Sequence, residues 1–219
     1  KRDLVLLPDI ATEKYVRTKT MADVESTMYH CLTIKQLQKI GVLPTTVGLG
    51  GVLLQGGSGI GKSAMVEAFK PDVKIDSSMT LTDKVLTITT AFEEGQTVWI
   101  DEINSCIGDG FEKTLNAVLT GNHPNRQEPS DNPGFLLFAT ANEATMEGRD
   151  IIGPALRHRM HRPKVPSLQD LSADDILRIV NQKVQSKGLS GKNPDKDPYP
   201  TAEIASSFKR ALSHDKTKN

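Results

Sequence analysis

The run Gly56-Gly57-Ser58-Gly59-Ile60-Gly61-Lys62-Ser63 constrains this chain more than any other part of it. Glycine holds four of its first six positions, so the backbone can take dihedrals closed to other residues and aim several N–H groups at one point. Before it, Val52–Leu54 is a short apolar run that stops at the glycines, as a buried parallel strand does. After it, Ala64, Met65, Val66, Ala68 and Phe69 read as a helix, ended by Pro71. Strand, glycine-rich turn and helix in this order are the context in which G-x-x-x-x-G-K-[ST] binds phosphate. The candidate binding residues are Gly57, Ser58, Gly59, Ile60, Gly61, Lys62, Ser63 and Ala64. The start of the helix adds its positive dipole end. Lys62 suits the β- and γ-phosphates as a point charge, and the Ser63 hydroxyl suits the shell of a magnesium ion. A plain glycine-rich connection from strand to helix fits the same residues without a ligand.

The rest of the chain repeats the alternation of strand and helix. Val73–Ile75, Thr97–Ile100 and Phe135–Phe138 read as strands, and Leu81–Phe92 and Phe111–Leu119 as helices. Ile151–Met160 reads as a further helix and Arg162–Val165 as a final edge strand, where Pro163 is tolerable. Such alternation predicts a parallel sheet covered by helices on both faces, an α/β architecture. Ahead of it, Met21–Ile40 has loose helical spacing and residues 1–20 show no sustained period. Residues 122–134 are polar and rich in Pro and Asn, a loop or loose hairpin. Beyond Pro166 an amphipathic helix over Leu171–Val184 precedes a polar linker at 188–200 and a last helix at 201–213. The domains expected are a lead-in and helix over 1–45, a nucleotide-binding core over 46–166 and a partial helical lid over 167–219.

Three more segments carry chemistry. Thr97-Val98-Trp99-Ile100-Asp101-Glu102 is an apolar strand ending in two carboxylates. A strand's C-terminal end lies where α/β folds bind ligands. Asp101 can hold a metal there, mostly through water, and Glu102 can polarise an attacking water. A solvated strand end is the plain alternative. Asn104 suits fixing Glu102 or the water, and suits a helix N-cap equally. Phe135–Asn142 is another apolar strand ending in an amide, whose donor and acceptor suit a lytic water or a γ-phosphate, or a turn. Arg157 and Arg159 fall at a helix end. Arginine's planar fork suits developing phosphoryl charge, in cis or from a neighbouring subunit, and also suits capping the helix.

Bulk properties restrict the setting. Lys plus Arg and Asp plus Glu each number 27, so net charge offers no reason for nucleic acid or an anionic membrane as partner, although a local basic patch stays open. No apolar run reaches the roughly 20 residues of a membrane helix. Two cysteines without metal-ligand spacing agree with a reducing, cytoplasmic compartment. A first residue of Lys1 rather than Met reads as a piece of a longer protein.

Three stretches together, Val52–Ser63 (VLLQGGSGIGKS), Ala91–Asn104 (AFEEGQTVWIDEIN) and Phe135–Met160 (FLLFATANEATMEGRDIIGPALRHRM), resemble the AAA+ superfamily, and more narrowly its MoxR, midasin and dynein-related branch. The strand ending in ATAN, Gly148-Arg149 and the ALRHRM tail carry the narrower likeness. It implies a three-layer αβα P-loop NTPase core of AAA+ type, with the Asn142 strand between the other two, followed by a small helical lid. It further implies ATP and Mg2+ as ligands, with Ser63 and Asp101 at the metal. Glu102, Asn142 and Arg159 become the catalytic set, Asn142 as sensor and Arg159 as the finger for a neighbour. Assembly with copies of itself or neighbouring AAA+ domains, often as a hexameric ring, and remodelling of a macromolecular client follow from the same likeness. A nucleotide-binding regulatory or scaffold domain with little hydrolysis of its own is the alternative. Met160 stands where the branch carries an aromatic, the 122–134 loop lacks a pore pattern, and Arg210 fits either a lid sensor or a surface arginine.

Overall fold

The computed structural model describes residues 15–45, 50–126, 128–142 and 152–186. Its strands are β1 (Gly51–Gln55), β2 (Val73–Ile75), β3 (Thr97–Ile100), β4 (Leu136–Ala141) and β5 (Met160–His161). Its helices are α1 (Ala22–Lys39), α2 (Lys62–Ala68), α3 (Leu81–Glu93), α4 (Ile103–Cys106), α5 (Asp109–Leu119), α6 (Pro154–His158) and α7 (Ala173–Ser186). The strands form one sheet in the order β2-β3-β4-β1-β5, and every pairing is parallel. β4 lies between β1 and β3, the place that the resemblance implied for the Asn142 strand.

Alternation along the strands sorts side chains into two cores. Leu53, Val98, Ile100, Leu137, Ala139 and Ala141 face a cluster completed by Ile88 and Phe92 of α3, Ile103 of α4, Phe111 and Leu115 of α5 and Leu156 of α6. Val52, Leu54, Trp99, Leu136 and Phe138 face the other, with Val24 and Met28 of α1, Met65 and Val66 of α2 and Ile176 of α7. All six β4 residues are buried, because a central parallel strand is covered on both faces. Side-chain caps help fix two helix starts. Thr80 Oγ1 accepts from Asp83 N–H ahead of α3, and Ser172 Oγ accepts from Asp175 N–H at α7.

The end of the sheet departs from expectation. The edge strand read at Arg162–Val165 is instead Met160–His161, and the helix read over Ile151–Met160 spans Pro154–His158. Met160 is 3% exposed and pairs with Gly51, so its burial draws the strand to that point, while Pro163 has no N–H with which to extend the ladder. Pro154 at the first turn sets where α6 begins. The 122–134 loop contains no strand among its described residues. It is pinned to the end of α3, where Glu93 Oε1 meets His123 Nε2 at 3.0 Å and Arg126 at 2.6 Å. The linker at 188–200, the helix at 201–213, Arg210 and Gly148-Arg149 lie outside the described residues.

The segment after β5 folds back on the sheet. Leu171 and Ile176 join the second core with Tyr15, Met21 and Ile60, and Val165 and Leu168 pack against it. Asp175, 1% exposed, accepts from Lys19 N–H and Thr20 Oγ1, tying α7 to the chain just ahead of α1. Burial pushes its carboxyl upward. Hydrogen bonds from the Thr20 and Ser172 side chains and from the Lys19 and Ser172 backbone outweigh that, holding it below the usual carboxylate range. A depressed folded-state pKa adds stability above the unfolded value and loses it as pH falls through the folded one. Asp175→Ala should therefore cost about 1–3 kcal/mol at neutral pH, the penalty for stranding buried donors. Amide exchange should rise in α7 well before it rises in β4; equal protection of α7 in both proteins would contradict this.

Candidate functional site

Three neighbouring strand ends build the site. β1 runs into the glycine turn, β3 into Asp101 and Glu102, and β4 into Asn142. Since β1, β4 and β3 are adjacent and parallel, these ends emerge side by side at the carboxyl edge of the sheet. In the turn, Gly59 and Gly61 have φ of +81° and +96°, a left-handed region that residues with a Cβ rarely enter. A Cβ at Gly57 or Gly61 would project into open space, whereas Gly56 lies close under Val165. The turn is thus anchored at one side and open at the other. Ile60, 8% exposed, plugs it into the second core.

Lys62 is buried, and its ammonium donates to Gly56 O at 2.8 Å, Gly57 O at 2.6 Å and Asn142 Oδ1 at 3.2 Å. The Asn142 amide nitrogen donates in turn to Glu102 Oε1 at 2.7 Å. One amide therefore joins the turn's lysine to the second carboxylate. A parallel chain of contacts centres on Asp101. Its Oδ1 accepts from Ser63 Oγ at 3.0 Å and Thr140 Oγ1 at 2.9 Å, and its Oδ2 faces Lys74 Nζ at 3.2 Å. The Thr140 hydroxyl also accepts from Glu102 N–H at 3.0 Å. Thr140 thus holds both carboxylate residues, one by side chain and one by backbone.

Glu102 itself has φ 51° and ψ 59°, left-handed without being glycine. Such a residue costs on the order of 1–3 kcal/mol and persists where its surroundings over-determine it. Here its N–H and carboxylate are held by Thr140 of β4 and by Asn142 just after it. The turn it makes starts α4, a four-residue helix absent from the sequence reading. Asn104 of α4 is 4% exposed, its Oδ1 has no hydrogen-bond partner among the described residues, and the N-cap position of α4 belongs to Glu102. Cys106 is buried behind the site, and burial pushes its thiol up to about 11, leaving it protonated near neutrality.

The structure brings together Lys62, Ser63, Asp101, Glu102 and Asn142, and it keeps Arg159 apart. Arg159 donates to Asn116 Oδ1 at 2.8 Å and Ala155 O at 2.7 Å, on α5 and α6. It precedes Met160, which pairs with Gly51 at the start of β1, while the glycine turn follows Gln55 at its end. Four strand steps separate those ends, roughly 13 Å at about 3.3 Å per residue. The Arg157 Nε is buried without a partner among the described residues. Sequence reasoning missed Thr140 and Lys74. Thr140 lies two residues before Asn142 and so on the same face of β4, a period-2 relation that was available. Lys74 needed the β2–β3 register, which no local pattern reveals.

The donor set fits Mg2+ and a polyphosphate. Ser63 Oγ and Asp101 Oδ1 are hard oxygens 3.0 Å apart, and Mg2+ takes one or two such ligands while waters and phosphate complete its octahedron. Among the described residues no group of three or more His, Cys, Asp or Glu side chains offers another metal site, and no helix is long and apolar enough to cross a membrane.

A parallel sheet with helices on both faces and a glycine turn at its carboxyl edge is consistent with a P-loop NTPase-like core. No protein-family profile matches the sequence. Among solved structures, domain III of the replication initiation protein DnaA from Thermotoga maritima is similar in fold. It is 14% identical with a TM-score of 0.56, over 95% of this chain and 86% of that one. PCH-2 of C. elegans is also similar, at 16% identity and a TM-score of 0.51 over 93% of this chain. The chain spans 60% of that PCH-2 chain.

Thr140→Val removes one hydroxyl and keeps the shape. It should lower stability by about 0.5–1.5 kcal/mol because Glu102 N–H and Asp101 Oδ1, both half-buried, lose a partner. Thr140→Ser should restore most of this in urea denaturation. A Val variant as stable as the parent would mean that the hydroxyl holds neither group.

Proposed function

We propose that this chain is an AAA+ type ATPase module that binds Mg-ATP at the carboxyl edge of β1, β4 and β3 and hydrolyses it at an interface with a neighbouring subunit. The observation that carries this reading is the joined network from Lys62 through Asn142 to Glu102, and from Ser63 through Asp101 and Thr140 back to Glu102. The fold likeness to DnaA domain III and PCH-2 supports the class of core. The narrower affiliation with the MoxR, midasin and dynein branch rests on the sequence motifs alone. On this reading residues 46–166 are the core, 167–219 the lid and 1–45 the lead-in. The client is a macromolecule, and the choice of ATP over GTP follows the family likeness.

The residues divide the work. Backbone N–H groups of Gly57–Ala64 receive phosphate oxygens, and the Lys62 ammonium exchanges carbonyl partners for them. Ser63 and Asp101 would hold Mg2+, which supplies charge neutralisation across the phosphates. Glu102 orients and polarises water, with its carboxylate aimed by Asn142. Because Asn142 touches both Lys62 and Glu102, capture of phosphate by Lys62 reaches the base through one side chain. Arg159, at the opposite end of the sheet, is suited to stabilise phosphoryl charge in another copy's site rather than its own.

A second reading, a nucleotide-holding regulatory module with little turnover, is favoured by one observation. Arg159 is engaged by Asn116 and Ala155 of its own chain, and an arginine kept there does not reach a neighbour.

Glu102→Gln should leave ATP binding within about twofold while turnover falls by about a hundredfold or more, the usual scale for losing a positioned base. Arg159→Ala should bind ATP normally and hydrolyse it poorly. Mixing Arg159→Ala with Glu102→Gln should recover part of the activity, since each supplies what the other lacks. Turnover per chain that does not rise with protein concentration, with no recovery on mixing, would favour the second reading.

A further inference from the structure

Lys74 stands opposite Trp99 in the β2–β3 register, and Trp99 belongs to the core on the α2 side of the sheet. The lysine ammonium lies over the indole, 4.2 Å from the ring centroid, and reaches Asp101, the residue that follows β3. There it meets Oδ2 at 3.2 Å, while Oδ1 is held by the Ser63 and Thr140 hydroxyls. Three donors converge on one carboxylate, and among the described residues Lys74 is the cation that pairs with it.

We propose that Lys74 is a tethered competitor for the metal at Asp101, a cation that must leave the carboxylate when Mg2+ is taken up. The inference rests on Asp101 as a metal ligand, as proposed above. Asp101 cannot fully serve an ammonium on one oxygen and a divalent ion on the other without the two cations repelling one another. Lysine suits the part, being a compact point charge on a flexible stem. Its side chain is 46% exposed, so release costs little, and the indole face that the ammonium already meets still favours it after release. The consequence is selectivity. Free Mg2+ must evict the ammonium unaided, whereas Mg2+ that arrives with polyphosphate brings phosphate oxygens that draw the ammonium away from the carboxylate. Lys74 thereby suppresses occupation by metal alone and couples metal entry to nucleotide.

The protein carries its own reporter, because Trp99 is the single tryptophan in the chain. With unlabelled ADP bound, Mg2+ should shift Trp99 emission in the parent as the ammonium moves. Lys74→Met keeps the stem over the ring and should abolish that shift. The second readout is the ratio of mant-ADP affinities with and without Mg2+. With Mg2+ saturating both forms it should shrink about two- to fivefold in Lys74→Met, where metal alone regains what the partly exposed ion pair had cost it. Lys74→Arg, which keeps the charge, should stay near the parent ratio, and melting in metal-free buffer checks that both variants fold. A ratio that is unchanged or larger in Lys74→Met, or an emission shift that survives there, overturns the proposal. Asp101→Asn should flatten the ratio whatever stands at position 74. If it does not, Asp101 is not the metal ligand, and the assignment on which the proposal rests fails on its own account.

Discussion

The insertion of β4 between β1 and β3 is the constraint on which the rest of the molecule depends. β1 and β3 come early in the chain, yet neither can pair with the other once β4 lies between them. Parallel pairing then forces the three carboxyl ends to one edge, and strand alternation turns Asp101, Thr140 and Asn142 toward the side where α2 begins. The site does not rest on one contact. Its order comes from a buried backbone ladder that leaves these side chains little choice of neighbours.

Much of this was legible because the informative signals were local. The glycine turn declares its own strand and helix, and Thr97–Ile100 declares a strand that stops at Asp101. The alternation of elements predicts the layered sheet, and the structure has it. Where reading along the chain failed, the deciding force was not local. Met160 is drawn into a strand by its partner Gly51, more than a hundred residues away, not by any period around it. The αL turn at Glu102 that launches α4 is held by side chains at the end of β4 and just beyond it, a condition the sequence does not show near position 102. Thr140 looked like filler between an alanine and an alanine. Its importance follows from meeting Asp101 and Glu102 across a strand pair.

The segment from Val165 to α7 has a double attachment. It roofs the glycine turn through Val165 and Leu168, and it is bolted to the chain ahead of α1 through Asp175. Displacing α7 therefore breaks contacts at two separate places, one beside the candidate phosphate site and one near the start of the described chain. An element placed this way can transmit a change at the turn to the outer surface of the molecule without any change within the sheet.

The distance between Arg159 and the glycine turn has a consequence in symmetry. If an arginine from one copy completes the site of another, the giving surface and the receiving surface are different patches, at opposite ends of the same sheet. A two-fold dimer, which matches a patch to itself, satisfies that demand only if one patch spans both places. Where the two patches are separate the contact is heterologous, head to tail, and each added copy presents a fresh unsatisfied end. Such a series either closes on itself after a whole number of copies or continues as a filament, and the angle between successive copies alone decides which.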